Sequence, residues 1–390
     1  MHYLFKTINV GKGDCIMFFL KNEEHEIHIM VDCGRFNHEV KEFVEDKFHD
    51  VIDYLIVTHI DDDHLIGVNE MLTAKPKLQI RHILYNCYQR TSDDLKEWDN
   101  NMKTNVKRMF AELPVVVDMI DYKINEKTAK TLAETILTNK EWKNVWQREY
   151  ITENSPSINL GENFGKIVFL LPTQNALDKL DKKYRKLFWQ VLYKGKDVDY
   201  KEEETIYESL MRIMQERSWN ELETSIANIV LDESSLLKYS AMPVINMTDS
   251  NIASIAFVWE HQNHRILFLS DAEPSQICNS IEKLYADETK PVRFDLIKVS
   301  HHGSAHSTTL DLMNYVDSER FFLTGGTAKA PSLEALSRIL LAPLSNGITQ
   351  REIRYNRENL NILSLASIDD EIKQKYNFTI NDNNEYEFSY

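Results

Sequence analysis

Within the stretch THIDDDHLIG, residues 58–67, two histidines and three aspartates lie close together. Carboxylates this close repel one another, and the repulsion is costly unless a cation neutralises them. Imidazole and carboxylate groups together are suitable ligands for zinc, manganese or iron, so the stretch predicts a metal site. The alternative is a solvated acidic turn that caps a helix, although such a turn needs no histidine at both ends. The candidate ligands are His59, Asp61, Asp63 and His64.

Two later segments supply the same kinds of side chain. The segment LIKVSHHGSAHST, residues 296–308, ends a predicted strand in the pair His301 and His302, followed by glycine. Paired histidines in such a position are typical of a metal or catalytic loop, and the alternative is a polar surface turn. The segment RILFLSDAEP, residues 265–274, brings Asp271 to the end of another predicted strand. This aspartate either bridges metal ions or caps the helix that follows.

These polar clusters follow short apolar runs that predict β-strands. Buried strands of layered α/β proteins commonly end in polar or glycine residues, at the edge where such folds keep their sites. Two longer stretches, about 91–149 and about 174–240, carry few strand signals, and we predict both as helical insertions. Within the second stretch, the periodic spacing of apolar residues over 205–219 supports an amphipathic helix. The predicted strands are Ile16–Leu20, Ile27–Val31, Tyr54–Val57, Ile80–Leu84, Ile167–Leu171, Ala253–Trp259, Ile266–Leu269, Leu296–Val299 and Phe321–Leu323, and the predicted short helices are Leu65–Leu72, Ser275–Tyr285 and Ser332–Leu341.

The overall composition limits the classes of function. The chain has 390 residues, and 43% of them are apolar, which is enough for a large core in one or two domains. It has no apolar window long enough for a membrane span and no signal-peptide pattern. Four cysteines lack metal-type spacing, so we expect a cytoplasmic protein with free thiols. A net charge of −16 repels a polyanion on average, which disfavours non-specific nucleic-acid binding.

The order of the motifs resembles that of the metallo-β-lactamase fold, in the branch found in the DNA-uptake protein ComEC. The matching motifs are VGKGDC, VDCG, THIDDDHLIG, NIASIAF, LSDAE and KVSHHGS, and the segments 165–173 and 321–340 resemble further strands of that branch. The resemblance covers roughly residues 1–90, 160–175 and 250–345. It implies an α/β fold, a four-layer αββα sandwich with helical insertions and with its site along one edge.

The resemblance also assigns roles to individual residues. It implies that one half of the metal site consists of His59 and Asp61, and the other half of Asp63 and His64. Asp271 matches the carboxylate that bridges the two halves. One or two divalent ions, Zn²⁺ or Mn²⁺, are therefore implied. Asp63 is also expected to be catalytic, because the fold often uses this aspartate to orient the nucleophile or to pass a proton.

The two adjacent histidines of the last motif receive different roles. His301 matches the last histidine ligand of the family, so His302 is expected to lie behind the ligands or to face the substrate as a second catalytic residue. The opposite assignment of these two histidines is the alternative. Asp14 and Asp32, in the two glycine turns near the start, are expected to be structural.

The chain departs from the family pattern in its supply of histidines. The wider superfamily places a further histidine ligand between the motifs that hold His64 and Asp271. Only His82, His261 and His264 lie in that interval here, and none of them is an obvious ligand. The first half-site is therefore expected to be poor in nitrogen ligands, with a second ion that binds weakly.

A second departure concerns the substrate side of the site. The ComEC branch commonly has a histidine before a proline near its end, and this chain has Ala330 before that proline. A proton donor or phosphate contact is then missing, or it is supplied by His302, His306 or Lys329. The residues predicted to bind substrate are Ser304, His306 and Lys329.

The expected chemistry is attack by a metal-bound hydroxide on a phosphorus or carbonyl centre. The resemblance favours a phosphodiesterase or nuclease that acts on nucleic acid or a nucleotide. In 177–196, basic and aromatic residues interleave, which suits a single-stranded polyanion, although a helix with solvated lysines has the same pattern. One alternative is a hydrolase of a small ester, lactone, amide or thioester. The other is an effector subunit that is inactive until a protein partner binds its helical insertions.

The domain organisation follows from the extent of the resemblance. We predict a single metallo-β-lactamase-like domain over residues 1–345, with insertions at about 91–149 and 174–240. Residues 346–390 match no part of the family pattern and form a C-terminal extension of unknown role. This extension either flanks the site or supplies a strand to a dimer.

Overall fold

The strands of the chain form two large sheets and one small sheet. The structure, a computed structural model, describes residues 1–87, 131–182, 231–244, 247 and 249–389. Numbered along the chain, the strands are β1 (His2–Thr7), β2 (Ile16–Lys21), β3 (Glu26–Val31), β4 (Val51–Val57), β5 (Gln79–Tyr85), β6 (Ile158–Asn159), β7 (Lys166–Leu171), β8 (Ala256–His261), β9 (His264–Phe268), β10 (Val292–Phe294), β11 (Leu296–Lys298), β12 (Val316–Ser318), β13 (Arg320–Leu323), β14 (Arg351–Tyr355), β15 (Phe378–Asn381) and β16 (Glu385–Ser389).

Each large sheet combines an antiparallel part with a parallel part. The first sheet has the order β16-β1-β2-β3-β4-β5, and β3, β4 and β5 run parallel to one another. The second sheet has the order β15-β14-β13-β11-β9-β8-β7-β6, and the strands from β9 to β15 in this order are parallel. The strands β10 and β12 form the small parallel sheet.

Aromatic side chains pack between the two large sheets. Phe5 of β1 meets Phe322 of β13 with 4.9 Å between ring centroids, and Phe18 of β2 meets Trp259 of β8 at 5.2 Å. These residues belong to a fully buried cluster that both sheets share. Edge-to-face contacts of this kind are stabilising beyond the area that they bury, so they fix the spacing of the sheets.

Helices cover the outer face of each sheet. The helix Asp62–Ala74 packs on the first sheet, and the helices Pro274–Leu284 and Leu333–Leu341 pack on the second. This arrangement confirms the predicted αββα sandwich. None of the described helices combines the length and apolar character needed to cross a bilayer. The other helices are His38–Glu42, Leu132–Thr138, Lys140–Val145, Glu233–Ser240, Asp249–Ile252, Leu310–Met313, Leu360–Ala366 and Asp370–Lys375, with a π-helix at Phe43–Lys47 and a 3₁₀ turn at Ser300–Gly303.

The predicted elements agree well with the structure where it describes them. Each predicted strand is present with small changes at its ends, although the run from Ala253 becomes a strand only at Ala256. The periodic stretch 205–219 and most of 177–196 lie outside the described residues. The described parts of the two insertions include the helices Leu132–Thr138, Lys140–Val145 and Glu233–Ser240.

Strands β3, β4, β9, β11 and β13 bring their carboxyl ends to one edge of the sandwich. β3 and β4 are parallel neighbours in the first sheet, and β9, β11 and β13 are parallel neighbours in the second. The loops that leave these ends carry the polar motifs of the sequence. Parallel strands place such loops side by side, which is how residues far apart in the chain meet.

The C-terminal residues 346–390 are built into both sheets. β14 and β15 extend the second sheet beside β13, and β16 pairs with β1 at the edge of the first sheet. Arg351 of β14 is fully buried, and its Nε donates to Asp317 Oδ1 at 2.9 Å. The same guanidinium donates to the carbonyl oxygens of Ile339, Ala342 and Pro343. Because the buried guanidinium of Arg351 makes all of these hydrogen bonds, it fixes the C-terminal strand β14 to the segments that pack on the second sheet.

We expect Arg351→Met to lower the free energy of unfolding by about 3–5 kcal/mol, because it leaves the Asp317 carboxylate buried and unpaired. The matched control is Arg293→Met, since Arg293 pairs with Glu319 at 2.8 Å on the surface and its side chain is half exposed. That control should cost at most about 1 kcal/mol. Chemical denaturation followed by circular dichroism measures both, and equal losses would contradict the structural role of Arg351.

Candidate metal centre

The first group of candidate ligands lies where β4 passes into the helix Asp62–Ala74. Asp61 occupies the N-cap position of this helix, but its side chain makes no capping hydrogen bond. Its carboxylate Oδ2 instead lies 3.7 Å from Nε2 of His59. His64, in the first turn of the helix, is fully buried, and its ring lies 4.1 Å from that of His59. The local fold therefore directs these side chains toward one point rather than into solvent.

Asp271 lies between the histidines of this group and the last motif. It follows β9 and is 2% exposed. Its Oδ2 lies 3.7 Å from Nε2 of His59 and 3.6 Å from Nε2 of His301, whereas its Oδ1 lies 3.5 Å from Nε2 of His64. The two oxygens of one carboxylate thus face different imidazoles.

The histidine pair lies in the 3₁₀ turn Ser300–Gly303, directly after β11. His301 and His302 both have left-handed backbone conformations, with φ of 46° and 53°. Nε2 of His302 lies 3.2 Å from Oδ2 of Asp63. The turn is fixed by the amide of His301, which donates to the carbonyl of Ser270 at 2.8 Å. Such strained conformations cluster at functional sites, where the surroundings hold them in place.

Several buried atoms in this group have no hydrogen-bond partner among the described residues. They include Nε2 of His59, Nε2 of His64 and Oδ1 of Asp271. An unpaired buried polar atom is costly, and these atoms all point into the same space. Ligand atoms of His59, His64 and Asp271 lie within 4.8 Å of one another, as do those of Asp63, His64 and His302. A divalent cation fits this set of nitrogen and oxygen donors.

Buried acceptors hold the outward nitrogens of the histidines. Asp32 Oδ2 accepts from Nδ1 of His64 at 2.8 Å, and the same aspartate accepts from both the amide and the hydroxyl of Thr58. The Nδ1 of His302 lies 2.9 Å from the carbonyl oxygen of Thr324 and 3.0 Å from Oδ1 of Asp14. Partners of this kind fix the tautomer and orientation of metal-binding histidines, and they leave Nε2 directed at the ion.

Asp14 and Asp32 are thus more than parts of glycine turns, which is the role that the sequence suggested for them. Their motifs, VGKGDC and VDCG, were the only sequence signal for this function. Lys298 was not singled out at all, because it reads as an ordinary polar residue at the end of a strand. It is fully buried and forms an ion pair with Asp14.

The charges in the cluster shift the protonation of its members in opposite directions. Burial lowers the pKa of His59 to about 3. Burial opposes the protonated form of His302 too, but Asp14 and Asp63 outweigh it and raise its pKa to about 10. For His64, Asp271 and Asp32 likewise outweigh burial and hold the pKa well above its usual range. Burial also disfavours the ionised form of Asp271, yet His301 and His64 hold its pKa well below the usual range.

Close backbone packing fixes the position of Asp63. A Cβ added to Gly13 would lie 1.8 Å from the carbonyl oxygen of Asp63, and one added to Gly34 would lie 2.5 Å from it. The amide of Asp14 also donates to this oxygen at 3.1 Å. The glycine turns therefore let two loops close directly onto the start of the helix Asp62–Ala74.

A cavity of about 440 Å³ opens beside the histidine pair. Both His301 and His302 line it, so it reaches the candidate metal centre. The predicted substrate-binding residues Ser304, His306 and Lys329 also line this cavity. The structure therefore brings all three of them to the side of the site that is open to a ligand.

Arg338 supports one wall of this cavity, although nothing in the sequence singled it out. It belongs to the helix Leu333–Leu341 and is 1% exposed. Its guanidinium donates to the carbonyl oxygens of Ala305 and Thr308, in the loop after the histidine pair. It also donates to the carbonyl oxygens of Ser240 and Met242, next to the cavity residue Tyr239. One buried side chain thus joins two segments that form the cavity.

The structure brings the predicted site residues together at one edge of the sandwich. His59, Asp61 and His301 lie on the Oδ2 side of Asp271, and Asp63 and His64 lie on the other. His302, expected behind the ligands or toward substrate, lies beside Asp63 and His64. The assignment of these residues as ligands stays a prediction.

Comparison with protein families gives one match. Residues 11–128 match the family model of the metallo-beta-lactamase superfamily. This part of the chain is therefore similar to the metallo-beta-lactamase superfamily. The match covers less than a third of the chain and includes the motifs of Asp14, Asp32 and the stretch 58–67, but not Asp271 or the histidine pair. No curated protein matches the sequence.

Three solved structures are similar to the chain at low identity. The metallo-beta-lactamase fold protein YhfI from Bacillus subtilis is 10% identical with a TM-score of 0.36, and all of both chains is covered. A mutant of the CmlA beta-hydroxylase is 7% identical with a TM-score of 0.39, and this chain spans 54% of its length. A diphosphatase from the PhnP family is 9% identical with a TM-score of 0.36, covering 100% of this chain and 98% of that one. At these scores the similarities carry no argument about substrate.

We expect Asp32→Asn to weaken metal binding by about 10- to 100-fold, because an amide cannot accept from His64 and from both groups of Thr58 as the carboxylate does. The matched control is Asp53→Asn. Asp53 is also a buried aspartate of the first sheet, but it accepts from the His28 amide and from Arg81. Competition with a chromogenic chelator measures the affinity, and equal affinities for the Asp32 and Asp53 variants would count against the positioning role of Asp32.

Proposed function

We propose that the protein is a metal-dependent hydrolase that cleaves phosphodiester bonds, in nucleic acid or in a nucleotide. The observation that carries the proposal is the convergence of buried, unpartnered imidazole and carboxylate atoms on Asp271, beside an open cavity. In a cluster with a purely structural role, buried polar atoms normally have hydrogen-bond partners. Zn²⁺ and Mn²⁺ are the ions that this donor set favours. The resemblance of the motifs to the ComEC branch supports the phosphodiester class.

The residues of the site would have different roles in hydrolysis. When bound, divalent ions would supply Lewis acidity and lower the pKa of a water molecule. Asp63 Oδ2 lies 3.2 Å from Nε2 of His302, so this imidazole can donate to the Asp63 carboxylate and orient it. His302 also lines the cavity. Asp32 and Asp14 hold the imidazoles of His64 and His302 in place throughout the reaction.

The cavity supplies groups that suit a phosphate. Lys329 offers a cationic amine, and Ser304 and His306 offer polar side chains in the same cavity. A phosphodiester carries one negative charge, and a lysine binds it as a point charge. A neutral ester, lactone, amide or thioester needs no such cation, and a substrate panel separates these classes.

We expect His64→Ala to reduce hydrolysis by at least about 10³-fold, because the loss of an ion forfeits several kcal/mol of transition-state stabilisation. The measurement is turnover of bis(p-nitrophenyl) phosphate, p-nitrophenyl acetate and a short single-stranded oligonucleotide, by protein loaded with Zn²⁺ or Mn²⁺. The control is His38→Ala, since the side chain of His38 is 82% exposed. This control should keep wild-type rates.

The substrate panel has three informative outcomes. Cleavage of the phosphodiesters supports the proposal, and cleavage of the acetate alone replaces it with the small-ester alternative. If the loaded protein turns over nothing, the proposal fails and the partner-controlled effector becomes the better explanation. The test of that explanation is a stable complex with another protein, purified from native cells.

We expect Lys329→Gln to raise KM for bis(p-nitrophenyl) phosphate about tenfold, equivalent to about 1.4 kcal/mol of lost binding, and to leave KM for p-nitrophenyl acetate unchanged. The matched control is Lys238→Gln. Lys238 is an exposed lysine next to the cavity residue Tyr239, but it does not line the cavity. Equal effects of the two variants would show that the charge acts at long range and not through contact.

A further inference from the structure

The loop of residues 324–332 contributes Lys329 to the lining of the cavity. The loop begins beside the histidine pair, where the carbonyl oxygen of Thr324 lies 2.9 Å from Nδ1 of His302. It ends beside the same turn, where its final amide donates to the carbonyl oxygen of Gly303 at 2.9 Å. Both ends of the loop are therefore fixed to the turn that carries the histidines.

The C-terminal segment 356–361 holds the rest of this loop. Nδ2 of Asn359 donates to the carbonyl oxygens of Thr327 at 3.3 Å and of Pro331 at 3.1 Å. The guanidinium of Arg357 donates to a third carbonyl oxygen of the loop. These contacts place part of the C-terminal extension against the cavity wall, so the extension flanks the site.

Asn361, in the same segment, lines the cavity itself. It is 4% exposed, and its Nδ2 donates to the carbonyl oxygen of Pro331 at 2.9 Å. A carbonyl oxygen can only accept, so this contact fixes the orientation of the side-chain amide. Oδ1 of Asn361 then faces away from Pro331 and has no hydrogen bond to another described residue. Because the small exposed part of Asn361 lies in the cavity wall, this acceptor is available to a ligand.

The cavity combines three kinds of contact. Lys329 offers a cation for a phosphate, Tyr239 offers an aromatic ring on which a planar base can stack, and Asn361 offers a fixed acceptor. The volume of about 440 Å³ is within the range of about 300–1,000 Å³ that is usual for small-molecule sites. A nucleotide has a phosphate, a base and N–H or O–H donors, whereas a simple dialkyl or diaryl phosphodiester has no donor for Asn361.

We propose that Asn361 is a specificity-determining residue and that the substrate is a nucleoside phosphodiester. Oδ1 of Asn361 accepts a hydrogen bond from an N–H of the base or an O–H of the sugar, while Lys329 binds the phosphate. Asn359 is a positioning residue, which acts on the substrate only through the loop that carries Lys329. The inference rests on the proposed function and deepens it by naming the class of substrate.

The test compares two p-nitrophenyl phosphodiesters as substrates of the full chain loaded with Zn²⁺ or Mn²⁺. The p-nitrophenyl ester of thymidine 5′-phosphate carries nucleoside donors, and bis(p-nitrophenyl) phosphate carries none. The readout is the ratio of their kcat/KM values, in which a general loosening of the loop cancels. Asn361→Leu removes the acceptor and should lower this ratio about tenfold, the loss expected for one hydrogen bond.

The matched control is Asn359→Asp. Both variants lose a donor to the carbonyl oxygen of Pro331, but Asn359→Asp keeps the oxygen that caps the helix Leu360–Ala366 by accepting from the amide of Ile362. Asn359 does not line the cavity, so its variant should leave the ratio unchanged. An equal loss for both diesters in Asn361→Leu, or an equal change of the ratio in the two variants, overturns the inference.

Substrate analogues identify the donor and need no variant. The 3′-deoxythymidine ester lacks the sugar hydroxyl, and the N3-methylthymidine ester lacks the N–H of the base. Wild type should turn over one of these esters about tenfold less efficiently than the thymidine ester, whereas Asn361→Leu should treat that pair alike. If wild type turns over both analogues as well as the parent ester, the inference is wrong. This arm decides alone if Asn361→Leu loses its far-ultraviolet circular dichroism spectrum.

Binding of thymidine 5′-phosphate separates this inference from the proposed function. Isothermal titration calorimetry should show binding to wild type and about tenfold weaker binding to Asn361→Leu. If this difference is found but no phosphodiester is hydrolysed, the proposed function fails and Asn361 remains a nucleotide contact. If bis(p-nitrophenyl) phosphate is hydrolysed but Asn361→Leu changes neither the ratio nor the binding, the inference fails and the proposed function stands.

Discussion

The site depends on the buried carboxylate of Asp271, which lies between imidazoles contributed by both halves of the chain. His59 and His64 come from the edge of the first sheet, whereas Asp271 and His301 come from the second. A carboxylate in this position is stable only while cationic or metal partners surround it. The edges of the two sheets must therefore stay in register, and the aromatic layer between them, such as Phe5 against Phe322, provides that rigidity.

The backbone around this carboxylate is strained in a consistent way. Asp32, Ser270, His301 and His302 are non-glycine residues in the left-handed region, and each is adjacent to or part of the site. Such residues cost about 1–3 kcal/mol each and persist only when their surroundings hold them. The hydrogen bond from the His301 amide to the Ser270 carbonyl joins two of these residues directly. These left-handed conformations therefore give side chains such as those of His301 and His302 directions that a regular helix or strand would not give them.

The same strain explains what the sequence could and could not predict. Residue types and motif order were enough for the sandwich and for the group around Asp271, because apolar runs mark strands whose ends carry polar residues. They could not orient His301 and His302, since orientation in a left-handed turn follows no periodicity. Arg338 was missed because its burial depends on carbonyl groups from distant segments. The strands β14 to β16 were missed because short, charged stretches such as REIRY give no apolar signal.

The charge of the protein and the charge of its site favour different substrates. The chain carries −16, which opposes a long polyanion across the surface as a whole. Bound divalent cations would offset the charges of Asp61, Asp63 and Asp271, and the adjacent cavity also contains Lys329. Because the Debye length is about 8 Å at physiological ionic strength, a single phosphate in the cavity senses this local field and little of the distant acidic surface. Within the proposed phosphodiester class, we therefore favour a nucleotide or a short strand end over an extended duplex, whose many phosphates would meet the net negative charge of the protein.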